Sequence, residues 1–143
     1  MKILKTILLG VAMLAIFGTA NAAQLTKSTP FTANYVLKVY IAATTQGDLT
    51  DFEKILDNNV IFTTTRNDVA ITLKTEDVIN NLKANAGIKQ DCTTTTTLVK
   101  ETGENTVYEV DVKYADYVRA NYITLVGSDE SGWKITNVNS VNK

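Results

Sequence analysis

The chain has 143 residues and no histidine, so it lacks the commonest metal ligand and the side chain best suited to moving a proton near neutral pH. No Ser-His or Cys-His pair can be built, and neither a glycine-rich phosphate loop nor a metal-spaced cluster is written in the sequence. No cofactor and no metal are expected. Cysteine is almost missing too: Cys92 stands alone, which excludes an internal disulfide. In an oxidising compartment Cys92 is either a buried small hydrophobe or a thiol open to pairing between chains. No basic cluster is present that could neutralise a row of phosphates, so nucleic acid is not an expected partner.

What is present begins with a leader. Lys2 and Lys5 form a short basic region, Ile7 to Phe17 is an almost unbroken apolar run, and Ala20-Asn21-Ala22 has the small-x-small shape of a signal-peptidase site. A retained membrane anchor needs about 20 apolar residues, and this run is about half that before the polar Thr19 and Asn21. No cysteine near the site offers a lipid attachment point. The expectation is therefore a signal peptide over residues 1–22 and a single exported domain over 23–143, in periplasm or medium, with no membrane contact after cleavage. Without Lys2 and Lys5 the mature chain has 12 basic residues against 15 acidic ones. Its length is enough for a core that needs neither metal nor disulfide.

Along the mature part, Ala23 to Ser28 is short and polar. Thr29-Pro30 then offers a helix start, and Tyr35, Val36, Val39, Tyr40 and Ala43 recur at helical spacing up to Gly47. Asp48 or Thr50 can cap a second helix carrying Leu49, Phe52, Ile55 and Leu56, with Thr50 and Glu53 at capping-box spacing. After Asp57-Asn58-Asn59, Val60 to Thr65 and Val69 to Leu73 read as a hairpin turning at Arg66-Asn67-Asp68. Thr75 opens a third helix with Val78, Ile79 and Leu82 on its buried side, closed by Gly87. Four strands follow: Asp91 to Glu101, Thr106 to Ala115, Tyr117 to Val126, and Gly132 to Asn139. The five threonines Thr93 to Thr97 allow low-complexity disorder, but their β-branching and apolar flanks fit a strand. The order predicts an α+β fold, with helices on one face of a mainly antiparallel sheet.

That order, with Tyr35 to Asp48 leading into Leu49-Thr50-Asp51-Phe52 and a closing Gly132-Trp133-Lys134-Ile135-Thr136-Asn137-Val138, resembles the nuclear-transport-factor-2-like superfamily. The chain looks most like its small exported members of polyketide-cyclase-like and lumazine-binding type. The resemblance implies a cystatin-like α+β roll: a curved sheet wrapped around three N-terminal helices into a cone with a pocket. It also implies a homodimer through the sheet, for which the two-sided Thr93 to Thr97 strand offers a surface.

The superfamily's isomerases imply a carboxylate base on the first strand, where this chain has Thr63, Thr64 and Thr65 beside Arg66, whose charge is wrong for that task. Its dehydratases imply a histidine, which is absent. Glu109 and Asp111 sit mid-strand, but alternation puts them with Lys113 on one face, opposite Tyr108, Val110, Val112 and Tyr114, and the charged face reads as the solvated one. What remains is an aromatic supply: Tyr40, Phe62, Tyr108, Tyr114, Tyr122 and Trp133 are candidate ligand-binding residues around one interior, or simply core. The expected function is non-catalytic binding of a small, partly apolar molecule. The alternatives are a polyketide-cyclase-like lyase or isomerase and an interaction module with a filled core.

Overall fold

The computed structural model describes Thr29 to Lys143; the expected leader, its cleavage site and Ala23 to Ser28 lie outside the described residues. Helix α1 spans Ala33–Gln46, and its cap is Thr32, whose hydroxyl accepts from the Tyr35 amide at 3.2 Å. The earlier Thr29-Pro30 start is thus displaced by three residues. The apolar stripe buries Val36, Leu37, Val39, Tyr40 and Ala43, each of the larger ones contributing about 2 kcal/mol by leaving water. Gly47 ends the helix in a left-handed conformation, with φ of 68°.

The expected second helix is a single 3₁₀ turn, Glu53–Ile55. Asp51 has a φ of 60°, which an α-helix cannot accommodate, and Asp48 bonds the Thr50 amide at 3.0 Å in a local turn instead of capping a helix. Strand β1 then starts early, at Leu56, and runs to Arg66. The Asp57-Asn58-Asn59 break is a register irregularity within the strand, with Asp57 accepting from the Asn59 amide at 2.9 Å. Strand β2 is Val69–Leu73, and Asn67 and Asp68, both at positive φ, make the tight hairpin turn. Helix α2 spans Thr75–Ala84; Thr75 spends its hydroxyl on the Val60 carbonyl at 3.1 Å rather than on a cap.

The remaining strands are β3 (Thr93–Thr102), β4 (Asn105–Lys113), β5 (Val118–Ser128) and β6 (Gly132–Asn142). All six form one sheet in the order β2-β1-β6-β5-β4-β3. Every pairing is antiparallel except β1 with β6, the first long strand lying parallel to the last.

The cone wrapped around three helices is overturned. The described residues hold two α-helices, and the sheet is open, with β2 and β3 as free edges. One long helix, one short turn and a shallow second helix have too little apolar surface to draw the edges around them: the core lies over the middle strands, while β2 and β3 are exposed along their whole length. Phe52, Ile55, Ile123, Leu125 and Ile135 are sealed at the centre under α1. Helix α2 has no fully buried residue and only leans on this core through Val78, Ile79 and Leu82.

Candidate functional site

Strand register decides which side chains meet on the face that carries the helices, because side chains alternate and pairs directly opposite share a face. Phe62 pairs with Leu73 and Val138, and Val138 with Ile123, giving an apolar rung. Two residues on, Ile71, Thr64, Ser140 and Asn121 form a second rung of mostly hydroxyl and amide groups. Two further on, Arg66 pairs with Val69 and Asn142 with Arg119; continuing the Thr65–Val141 register by one residue brings Arg66 level with Asn142. The face therefore passes from apolar through neutral polar to cationic along the strands.

Helix α2 stands over these rungs and leaves a cleft of about 420 Å³. Phe62, Leu73, Val78 and Leu82 line its apolar part, and Thr64, Arg66, Asn81, Arg119, Ser140 and Asn142 its polar part. Position 77 adds Asp77, an exposed carboxylate in the first turn of α2. The wall is partly fixed from within. Ser140 donates to Asn121 Oδ1 at 2.6 Å, and buried Asn121 donates to the Val110 carbonyl at 3.3 Å. Arg119 Nε donates to Asn142 Oδ1 at 3.3 Å, which steadies the guanidinium.

A second hollow, about 520 Å³, lies between Pro30, Phe31 and Trp133, but several of its polar groups are already engaged with each other or with neighbours outside it. Asp51 accepts from the Tyr35 hydroxyl at 2.6 Å and from Lys54 Nζ at 2.8 Å, and the Trp133 indole donates to Asp129 at 3.1 Å. The cleft under α2 has, among the described residues, side chains without a partner in Thr64, Arg66 and Asn81, and is the better candidate.

Of the six aromatic candidates, Phe62 alone lines this cleft. Tyr40 is buried on α1, and burial raises its hydroxyl's pKa, a rise that the charge of Arg119 opposes. Tyr114 donates its hydroxyl to Gln90 and stacks on Tyr117 with ring centroids 4.8 Å apart, and burial raises its pKa as well. Tyr108 packs half-buried against the core opposite Ile123. Tyr122 belongs to the other face of the sheet, level with Glu109 and Asn139, and Trp133 sits in the second hollow. Glu109 and Asp111 lie on that other face too, both bonded to Lys143. Thr64, Arg66, Arg119, Ser140 and Asn142 were not among the expected site residues. Alternation with Phe62 along β1 was the signal that could have found Thr64 and Arg66; the others come beside them only through strand pairing, which no local pattern announces.

Among the described residues no cluster of three or more His, Cys, Asp or Glu could hold a metal ion, and no helix is long and apolar enough to cross a membrane. Cys92 is half-buried against the core.

No protein-family model matches the chain. No curated protein matches it either. Solved structures do. A nuclear-transport-factor-2-like protein of unknown function from Silicibacter pomeroyi is 16% identical, with a TM-score of 0.63 over 77% of this chain and 92% of that one. One from Shewanella baltica is 10% identical, with a TM-score of 0.62 over 76% and 88%, and one from Methylobacillus flagellatus is 15% identical, with 0.62 over 81% and 98%. The chain has the nuclear-transport-factor-2-like fold.

Proposed function

We propose that the domain binds a small, partly apolar molecule in the cleft between α2 and the sheet, without transforming it. The observation that carries this is the cleft's composition: an apolar part around Phe62, Leu73, Val78 and Leu82 continues into a polar part in which the Thr64 hydroxyl, the Asn81 amide and the Arg66 guanidinium have no side-chain partner among the described residues. Its volume of about 420 Å³ lies within the range of small-molecule sites. A lyase or isomerase would need a carboxylate held out of water so that its proton affinity rises. The carboxylate at the cleft is Asp77, which is exposed. Non-catalytic binding is therefore the preferred reading.

The biological setting we propose is export, with cleavage after Ala22 and a mature domain of 23–143, supported by the basic, apolar and small-residue order of the leader. Mass spectrometry of exported material should find Ala23 first. Within the fold, the polyketide-cyclase-like and lumazine-binding type is the subtype we propose, because the chain looks most like the small exported members.

We further propose a homodimer through the sheet face that carries no helix. Ile61 is half exposed there, and Asp111 Oδ1 and Asn139 Oδ1 are buried on that face without a donor among the described residues. A second copy packed on this face would cover Ile61; the two buried oxygens are closed off within the single chain and do not bear on the dimer. Light scattering giving a monomer mass at high concentration would remove the dimer.

The binding reading is tested by blocking the cleft. Ser140→Trp places a large ring across the second rung at a half-buried position, so ligands found by a thermal-shift screen of the parent protein should lose their effect in the variant. Ligands that raise the melting temperature of both equally bind elsewhere, and that result would remove the cleft from the function.

A further inference from the structure

The chain has 12 lysines and only two arginines, Arg66 and Arg119, and both line the same cleft. They are 53 positions apart and reach one rung only because β1 lies parallel to β6 and β6 antiparallel to β5. Neither takes part in an ion pair among the described residues. The first acidic residue of the chain is Asp48, so residues 1–28 hold no carboxylate that could neutralise them. Two rigid guanidinium forks are thus left on one wall, about two strand spacings or roughly 10 Å apart, with Asn142 between them.

We propose that the rung of Arg66, Asn142 and Arg119 receives the anionic head of the ligand, so that the cleft takes a small amphipathic acid: an apolar body ending in a carboxylate or phosphate. This rests on the binding function proposed above and names its ligand class. The three rungs span about 13 Å at roughly 3.3 Å per residue, room for an extended eight-carbon acid. Its tail lies on Phe62, Leu73, Val78 and Leu82, its middle passes Thr64 and Ser140, and its head meets the arginines. Guanidinium forks match the paired oxygens of either head group, and lysine does not supply that geometry. Arg119 spends Nε on Asn142, leaving its terminal nitrogens for the ligand. Asp77, on the α2 wall, disfavours an acid that enters head-first toward the helix and so sets its direction.

Calorimetric titration of the purified protein with octanoate, octyl phosphate and 1-octanol tests this. The expected result is binding of at least one anion about tenfold tighter than octanol, a difference of the size one charge-assisted contact gives. Arg66→Gln and Arg119→Gln should each weaken the anion by about tenfold and leave octanol unchanged. Arg119→Lys should fall between parent and Gln variant. Both side chains are exposed, so the variants should melt like the parent. Equal affinity for octanol and both anions, insensitive to the arginine variants, would overturn the anionic head while leaving a binding cleft in place. Binding of none of the three would overturn this ligand class, and the Ser140→Trp screen would then decide the cleft separately.

Discussion

At Gly47 the backbone is left-handed and also pressed from outside: a Cβ there would come within 2.5 Å of the Gly87 nitrogen and 2.8 Å of the Asn85 carbonyl oxygen. The end of α1 and the end of α2 therefore meet backbone to backbone, and the Gly87 amide donates to the Gly47 carbonyl at 2.9 Å. Gly47→Ala should cost about 2 kcal/mol or more in a denaturant titration, since strain and clash add. Gly87→Ala, at φ of 77° but with nothing within 4 Å, should cost about half that. Asp51 makes a different kind of prediction. The hydrogen bond from Lys54, then that from Tyr35, holds its carboxyl below the ordinary value of 3.8, and Asp48 is lowered by its bonds to Thr50. A depressed carboxylate contributes stability that is fully present above its unfolded value and is lost as pH falls through the folded one. The melting temperature should drop as pH goes below 3.8, and Asp51→Asn should flatten that drop. An unchanged acid profile in the variant would contradict the assignment. Alternation on β4 was legible in the residues: Val110 and Val112 are buried while Glu109 and Asp111 face the other way. On β5 it was not, because Ala120 and Asn121 are both buried in a central strand, and so the side on which Tyr122 stands could not be read from its neighbours.

Elements with a strong period declared themselves. The α1 stripe and the four C-terminal strands fall close to where the sequence places them, because 3.6-residue and two-residue spacings need different backbones. The second helix did not form because its signal was a capping box without length: four apolar residues over less than three turns, interrupted by left-handed Asp51. Helix α2 formed but stays shallow. With no buried residue, it should open at lower free energy than α1, whose stripe is sealed in the core. Hydrogen exchange should show the amides of Asn80 to Ala84 exchanging well before those of Leu37 to Ala43. Equal protection would mean that α2 is packed more firmly than its exposure implies. A shallow helix over the cleft also suits a site that must admit a ligand, since α2 is the wall with the least to lose by moving.

For the molecule as a whole, the parallel pairing of β1 with β6 is what brings the cleft's wall together, and it is the feature that no local pattern announces. Thr64 and Ser140, or Arg66 and Asn142, are separated by 76 residues and become neighbours only when the first long strand closes against the last. Arg66 was legible as a charge unsuited to a catalytic base, but its partner on the rung was not, because a pattern of two or 3.6 carries no information about which strands pair. The aromatic residues are spread along the chain as if to line one interior, yet five of the six are placed on or against the core, in the second hollow or on the other sheet face rather than beside Phe62. The most direct test of the cleft is an NMR titration of the isotope-labelled protein with octanoate. Saturable amide shifts should gather at Thr64 to Arg66, Asp77 to Leu82 and Ser140 to Asn142, with Trp133 and the Phe31 segment unmoved. Shifts centred on Trp133 and Phe31, or no saturable shift on the three rungs, would contradict the account.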